Sequence, residues 1–333
     1  MGDKYLFTNC IATFLFDSDF KIAEKVENDE VKDYSEWLES EKKLMHKHSK
    51  DKIFYIGFKK EKLQGAVMSQ DPQKLSRILD FFKKNEFFKS FHEINLLETK
   101  MKVRAAVDSD LLVIQTINNI DELNKAANLL IKRLREWYEL YNPEFSRSIE
   151  SHEKFVELIL ANNKDELLKQ IGLSKDKTMG ADLPHDDVKS IMNLAKQIDN
   201  LYKLRESHTI YLETLMNKSY PNITAVAGSL IGAKIISLAG SLERLVKMPA
   251  STVQLLGAEK ALFRHMRQKT KPPKHGVIIQ HPLLNSAKQK DKGKVARVLA
   301  DKISIATRVD YYKGQFVGDR LKKEIEERVK QLK

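Results

Sequence analysis

From Ser109 to Asn142 this chain contains neither glycine nor proline, and its apolar residues keep a strict rhythm. Ile120, Leu123, Ala127, Leu130, Leu134, Trp137 and Tyr141 follow one another at alternating steps of three and four. That is a heptad seam along one side of a long helix. Asp108 or Ser109 offers a side-chain acceptor to the first free N–H groups. Pro143 ends the run, because it has no N–H to carry the ladder on. A shorter helix is expected from His152 to Gln170, followed by a Gly- and Pro-containing loop over 172–187. The seam then returns with Ile191, Leu194, Ile198 and Leu201, is interrupted by Arg205 and His208, resumes at Leu212 and Leu215, and closes at Pro221.

Helices broken by Pro143 and by a loop cannot form one rod, so the economical arrangement is a long antiparallel hairpin. One hairpin rarely covers a seam of this length. Two copies are therefore expected to pair through Leu123, Leu130, Leu134, Ile191, Ile198, Leu201 and Leu212. A self-contained three-helix bundle is the alternative. Arg205 and His208, polar residues at core-type positions, would set the register.

The flanks differ from this middle segment. In residues 1–108, Tyr5 to Phe16 and Ile53 to Phe58 are short runs of aromatic and β-branched residues and predict strands. Lys21 to His48 reads as a charged helix with Val31, Tyr34, Trp37, Leu38 and Leu44 on recurring faces. Pro72 to Phe91 reads as another, with Pro in the first turn and Asp71 as its cap. Residues 222–333 read as helical and basic, with a loop at Pro272 and Pro273. The expected fold is thus mainly α: a small α+β domain over 1–108, a coiled-coil hairpin over 109–221 and an all-α domain over 222–333.

Charge separates the segments further. Residues 222–333 hold 23 Lys or Arg against 9 Asp or Glu, a net of +14, while the first 221 residues carry a net of −2. A one-sided excess of this kind is the electrostatic footprint of a nucleic-acid or anionic-surface binder. The longest apolar run, Ile223 to Leu242, contains Lys234, four Ser or Thr and three Gly. It predicts a buried helix rather than a membrane span. The single cysteine, Cys10, excludes an internal disulfide framework and a cysteine-based zinc site, and points to a reducing cytoplasm. No Gly-rich phosphate loop, nucleophile elbow or paired catalytic acids stand out, and His46 and His48 lack the ligand partners of a metal site. No metal or directly bound cofactor is expected, and the chain reads as non-catalytic.

The charge concentrates in one stretch. From Lys260 to Lys274 there are six Lys or Arg and no acid. Gly257, Ala258 and Glu259 open a short amphipathic helix carrying Lys260, Arg264, His265 and Arg267. Lys269, Lys271, Lys274 and His275 follow in a loop stiffened by Pro272 and Pro273. A row of cations on a helix, continued into a rigid loop, suits structured RNA, which proteins read by shape, phosphates and 2′-hydroxyls. A second cluster, Lys288, Lys290, Lys292, Lys294 and Arg297, is opposed only by Asp291 and would line the same or a neighbouring strand.

Gly257-Ala258-Glu259-Lys260-Ala261-Leu262-Phe263-Arg264-His265 resembles the signature of the Nop domain. Gly228 to Lys234, Leu245 to Ser251, Lys274-His275-Gly276, His281-Pro282 and Arg135-Glu136-Trp137-Tyr138 agree with it in order. Over roughly 109–333 the chain resembles the archaeal Nop-family core proteins of box C/D ribonucleoproteins. The resemblance implies an N-terminal domain that binds the methyltransferase fibrillarin and a coiled coil that pairs two copies. It implies a C-terminal Nop domain on a kink-turn guide RNA that already carries a small ribosomal-type kink-turn protein. Fibrillarin would hold S-adenosylmethionine and perform 2′-O-methylation of rRNA or tRNA, and this chain would be the scaffold. The chain stops at Lys333 without a Lys-rich tail, so an archaeal, cytoplasmic member is expected. A spliceosomal-type Nop-domain assembly factor and a stand-alone RNA-modifying enzyme are the alternatives.

Overall fold

The computed structural model describes residues 3–9, 11–27, 34–56, 66–69, 71–84 and 87–331. Cys10, Val31, Gly57, Phe58 and Leu332 lie outside the described residues, as do the side chains of Tyr34, Trp37 and Leu38. The chain divides into two compact units, Met1–Val107 and Asp108–Lys333.

The first unit holds a five-stranded sheet in the order β3-β2-β1-β4-β5. Its strands are β1 (Lys4–Thr8), β2 (Ala12–Phe16), β3 (Ile22–Glu27), β4 (Ile53–Ile56) and β5 (Val67–Ser69). Its helices are α1 (Tyr34–Lys47), α2 (Pro72–Lys84) and α3 (Phe87–Ala105). β1 to β3 form an antiparallel meander, and β4 and β5 add in parallel. Alternation along the strands gives two cores. Tyr5, Phe14 and Phe16 meet Ile78 and Phe82 of α2 on one face, and Leu6, Leu15 and Tyr55 meet Leu44 of α1 on the other.

Three sequence expectations change here. The run Tyr5–Phe16 is two strands, because the Asn9 side chain accepts the N–H of Ile11 and Ala12 and turns the chain back. The N-terminal part of the expected helix Lys21–His48 is strand β3, which pairs along β2 through Ile22 and Val26. The helix Pro72–Phe91 divides into α2 and α3. Asp71 does cap α2, accepting the Gln73 N–H at 3.0 Å. His48 sits between Glu24 (2.8 Å) and Asp51 (3.3 Å), and Lys4 forms an ion pair with Asp51 at 2.6 Å.

The second unit is built on α4 (Ser109–Glu139). α5 (Pro143–Ser148), α6 (His152–Ala161) and α7 (Lys164–Gln170) follow, then α8 (His185–Ser219). α4 and α8 run antiparallel, since Asn119 bonds His208 (2.6 Å) and Asn124 bonds Arg205 (3.3 Å). The two interrupting polar residues therefore meet polar partners in register across the hairpin, and Arg205 also reaches Glu153 of α6 at 2.9 Å. The expected single helix His152–Gln170 is broken at Asn162 and Asn163, where Asn163 and Glu166 form a capping box.

The buried stripe of α4 is Val113, Ile117, Ile120, Leu123, Ala127, Ile131, Leu134 and Tyr138. Ile131 and Tyr138 thus replace Leu130 and Trp137. A straight α-helix turns 3.6 residues per turn and drifts from a strict heptad. α5 to α7 cover the rotated face with Phe145, Phe155 and Leu167. Of the expected seam between copies, Leu123, Leu134, Ile191, Ile198 and Leu212 are buried within a single chain, and Leu130 and Leu201 are half-buried. Of the expected seam, Leu130 and Leu201 are the residues left partly open.

Past Pro221 come α9 (Pro221–Ala227), α10 (Ser229–Ala239), α11 (Leu242–Lys247), α12 (Ala250–Leu255), α13 (Glu259–Gln268), α14 (Pro282–Asn285), α15 (Lys292–Tyr311) and α16 (Gly318–Gln331). α15 lies at the centre, against α9, α11, α12 and α16. Its Val295, Leu299 and Ile303 share one core with Val113 and Ile117 of α4 and Met216 of α8. The helices on either side of the expected boundary at 221 therefore share a core. The apolar run Ile223–Leu242 breaks at Gly228 (φ +81°) into two helices bent by 113°. Among the described residues no single helix is long and apolar enough to cross a membrane.

Candidate nucleic-acid interface

The stretch 257–275 leaves the body of the second unit and returns to it. Where it departs and rejoins, the Gly276 N–H donates to the Gln254 carbonyl and the Val277 N–H to the Leu256 carbonyl, both at 2.7 Å. The Gln254 side chain holds the Lys274 carbonyl at 2.6 Å. The close approach requires glycine: a Cβ on Gly276 would lie 1.8 Å from the Leu256 oxygen. At the other corner Gly257 adopts φ +85°, which favours glycine. Its N–H donates to the Glu259 carboxylate at 2.7 Å. Glu259 is therefore a positioning residue at the helix start, and Ala258 is the residue before the helix.

α13 buries none of its residues. Lys260, Arg264 and Arg267 are exposed at steps of four and three, and Lys269 and Lys271 continue into the loop, also exposed. Lys269 takes a left-handed conformation (φ +50°) that ends the helix, and the His265 ring turns back to the Thr270 carbonyl. Phe263 (64% exposed) and Met266 (69%) stand among these cations. Sequence reading missed both as site residues. Their signal in the sequence was an apolar pair, three residues apart, among cations; that nothing buries the pair is seen only in the fold.

The two cationic clusters meet. The Lys274 side chain lies over Gly293 at the start of α15, where an added Cβ would touch it at 3.6 Å. His275, half-buried, has its pKa pushed down by burial and then by the charge of Lys292. Lys294 and Arg297 are exposed along the first turns of α15, and Lys294 pairs with Asp291 at 3.5 Å. Lys288 and Lys290 are exposed in the turn before it. Further along, before α14, His281 accepts the Leu283 N–H and bonds the Val226 carbonyl. Burial holds it below the ordinary histidine range.

This surface presents many N–H donors with apolar side chains between them, in a fixed frame. Donors of this kind suit the oxygens of phosphates and sugars. Among the described residues no three His, Cys, Asp or Glu side chains gather to hold a metal ion.

Comparison with known proteins agrees in kind. The profile of the Nop family, described as snoRNA binding domain, fibrillarin, matches residues 119–331. An uncharacterised NOP5 family protein of Methanocaldococcus jannaschii is 40% identical over 81% of this chain and 69% of its own. Nucleolar protein 56 of Dictyostelium discoideum is 40% identical over 66% of this chain and 45% of its own. For nucleolar protein 58 of Aspergillus clavatus the figures are 38%, 60% and 36%. The chain thus spans less than half the length of these two nucleolar relatives. A chain of a solved fibrillarin/Nop5p complex aligns over 96% of this chain and 97% of its own, at 20% identity and a TM-score of 0.45, too distant to argue from. The profile covers more than half of the chain, and the archaeal relative is matched over most of its length: the chain belongs to the Nop family, with the NOP5 proteins and nucleolar proteins 56 and 58 as relatives.

Proposed function

We propose that this chain is a non-catalytic scaffold of a box C/D ribonucleoprotein. The single observation that supports it most is the projecting, unburied α13 with its cations, joined at its base to the cluster that opens α15. Such a surface docks on a composite of kink-turn guide RNA and a small kink-turn protein. In this reading the N-terminal unit binds fibrillarin, which holds S-adenosylmethionine and methylates the target RNA in the cytoplasm of an archaeal cell. The family's description, snoRNA binding domain, fibrillarin, is consistent with that assignment.

The test is a gel-shift titration with kink-turn RNA, with and without the small partner. Binding is expected to be salt-sensitive and much tighter with the partner present. Lys260→Ala/Arg264→Ala should weaken it and flatten the plot of log K against log salt by about 0.7–0.9 for each phosphate no longer neutralised. Equal affinity for an unstructured RNA of the same length would sink the specific reading. Methyl transfer by the purified chain alone, with labelled S-adenosylmethionine, would favour a stand-alone enzyme instead.

Pairing of two copies belongs to the same proposal. With the expected seam largely buried in one chain, the exposed Leu129, Trp137, Leu140, Leu204, Ile210 and Tyr211 of the hairpin remain to meet a second copy.

A further inference from the structure

The C-terminal end of α15 carries a second surface that the α13 site does not use. Tyr312 (72% exposed), Phe316 (54%) and Tyr311 (38%) lie within six residues. Tyr311 and Tyr312 meet edge to face at 5.1 Å. Three large rings in water are unusual unless something covers them.

The turn that bears them is held firmly. Lys313 takes φ +52°, and the Gly314 N–H donates to the Val309 carbonyl at 2.8 Å. The Val317 N–H donates to the Asn222 side chain at 2.7 Å. Gly318 presses against Ala225 and Phe316, since an added Cβ would lie 2.5 and 2.8 Å from their side chains. Asp310 faces inward, accepting from Asn222 and from the Ile223 N–H at the start of α9. It therefore places no free negative charge beside the rings.

Two exposed cations lie in or just before the turn, and the exposed acid Asp319 follows it. Arg308 and Lys313 are exposed, and Lys247 of α11 lies within electrostatic reach of both phenols. The acid beside that lysine, Glu243, is paired to it at 2.5 Å. The outer face of α15 links this end to the other: Lys294, Arg297 and Arg308 are exposed along it, with Asp301 as the one acid. At 1.5 Å per residue, 20 residues of α15 separate the rings from the Lys274–Lys292 cluster by about 30 Å. The two surfaces are distinct contacts.

Rings on a rigid turn, flanked by cations, bind unpaired bases by stacking while the cations hold the backbone. Preorganisation lowers the ordering cost of such a contact. We propose that Tyr311, Tyr312 and Phe316 form a platform for single-stranded RNA, reached along the cationic face of α15. This rests on the reading of the chain as an RNA binder and adds to it a second, unpaired segment of RNA.

The test titrates the full chain with a fluorescein-labelled single-stranded oligouridylate octamer and, separately, with kink-turn RNA. Tyr312→Ala/Phe316→Ala should lose about ten-fold or more in octamer affinity, within the range of removing one stacked base. Its kink-turn affinity should not change, and Tyr312→Phe should keep octamer binding. Failure of kink-turn binding in the unaltered chain would count against the scaffold reading, whereas the difference in octamer affinity between the unaltered chain and the double variant reads the platform. No octamer binding by the unaltered chain, or equal binding by the double variant, overturns the platform. So does an equal loss on both RNAs, or loss of fibrillarin with octamer binding intact, which would assign the surface to a protein.

Discussion

At the scale of single residues, the shape of the candidate interface depends on a glycine at its base. Gly276 lets the chain rejoin the body beside Leu256, and a methyl group there must displace backbone. Gly276→Ala is expected to cost about 1–3 kcal/mol in a denaturant melt, as overpacking does. It should also speed hydrogen exchange across 257–275. His281 gives a pH prediction. Its folded pKa lies below the unfolded value of about 6.5. The stability it contributes is therefore fully present above about 6.5 and is lost as pH falls toward the folded pKa, because the unfolded chain takes up the proton first. The thermal midpoint should drop between pH 7.5 and pH 5.5, and His281→Asn should drop less. An unchanged pH dependence in that variant would refute the assignment. Nothing in the sequence marked His281 beyond its place before Pro282; only burial and the Val226 carbonyl single it out.

At the scale of elements, neighbouring residues of α4 separate packing from association. Tyr138 is 2% exposed against Phe155, and Trp137 is 38% exposed on the outer face. Tyr138→Ala should cost about 3–5 kcal/mol in urea unfolding, like other large aromatic deletions. Trp137→Ala should stay within about 0.5 kcal/mol at low protein concentration. Any larger effect of Trp137→Ala should appear only as concentration rises, the mark of a contact between copies. The heptad count identified the helix and its length, yet chose Trp137 over Tyr138. A drift of a few degrees per residue exchanges adjacent positions, and only the docking of α5 to α7 says which face is covered. β3 was misread for a related reason: a short charged edge strand has little periodicity, and its identity comes from β2 beside it.

At the scale of the whole molecule, the proposed pairing predicts a mass by light scattering near twice 38.4 kDa. A monomer at micromolar concentration would contradict it. Glu or Lys at Leu129 and Leu140 should then shift the dimer toward monomer without unfolding it, since both side chains are exposed. The fibrillarin assignment predicts co-purification of fibrillarin with the full chain, independent of Lys260 and Arg264. Its loss in the Lys260→Ala/Arg264→Ala variant would mean that the two partners do not bind separate surfaces.

The sequence by itself determined the mainly helical fold, the long hairpin, the basic C-terminal third and the cationic stretch from Lys260 to Lys274. These follow from local spacing, from glycine and proline, and from charge, all of which act over a few residues. Tertiary structure alone decided that α13 buries nothing, that Lys274 meets Gly293, that the Glu259 carboxylate accepts the Gly257 N–H, and that five seam residues are enclosed in one chain. It also decided that the aromatic turn after α15 faces water. Each of these depends on which distant segment occupies a given face, and burial of apolar area acts between segments that the local pattern cannot pair.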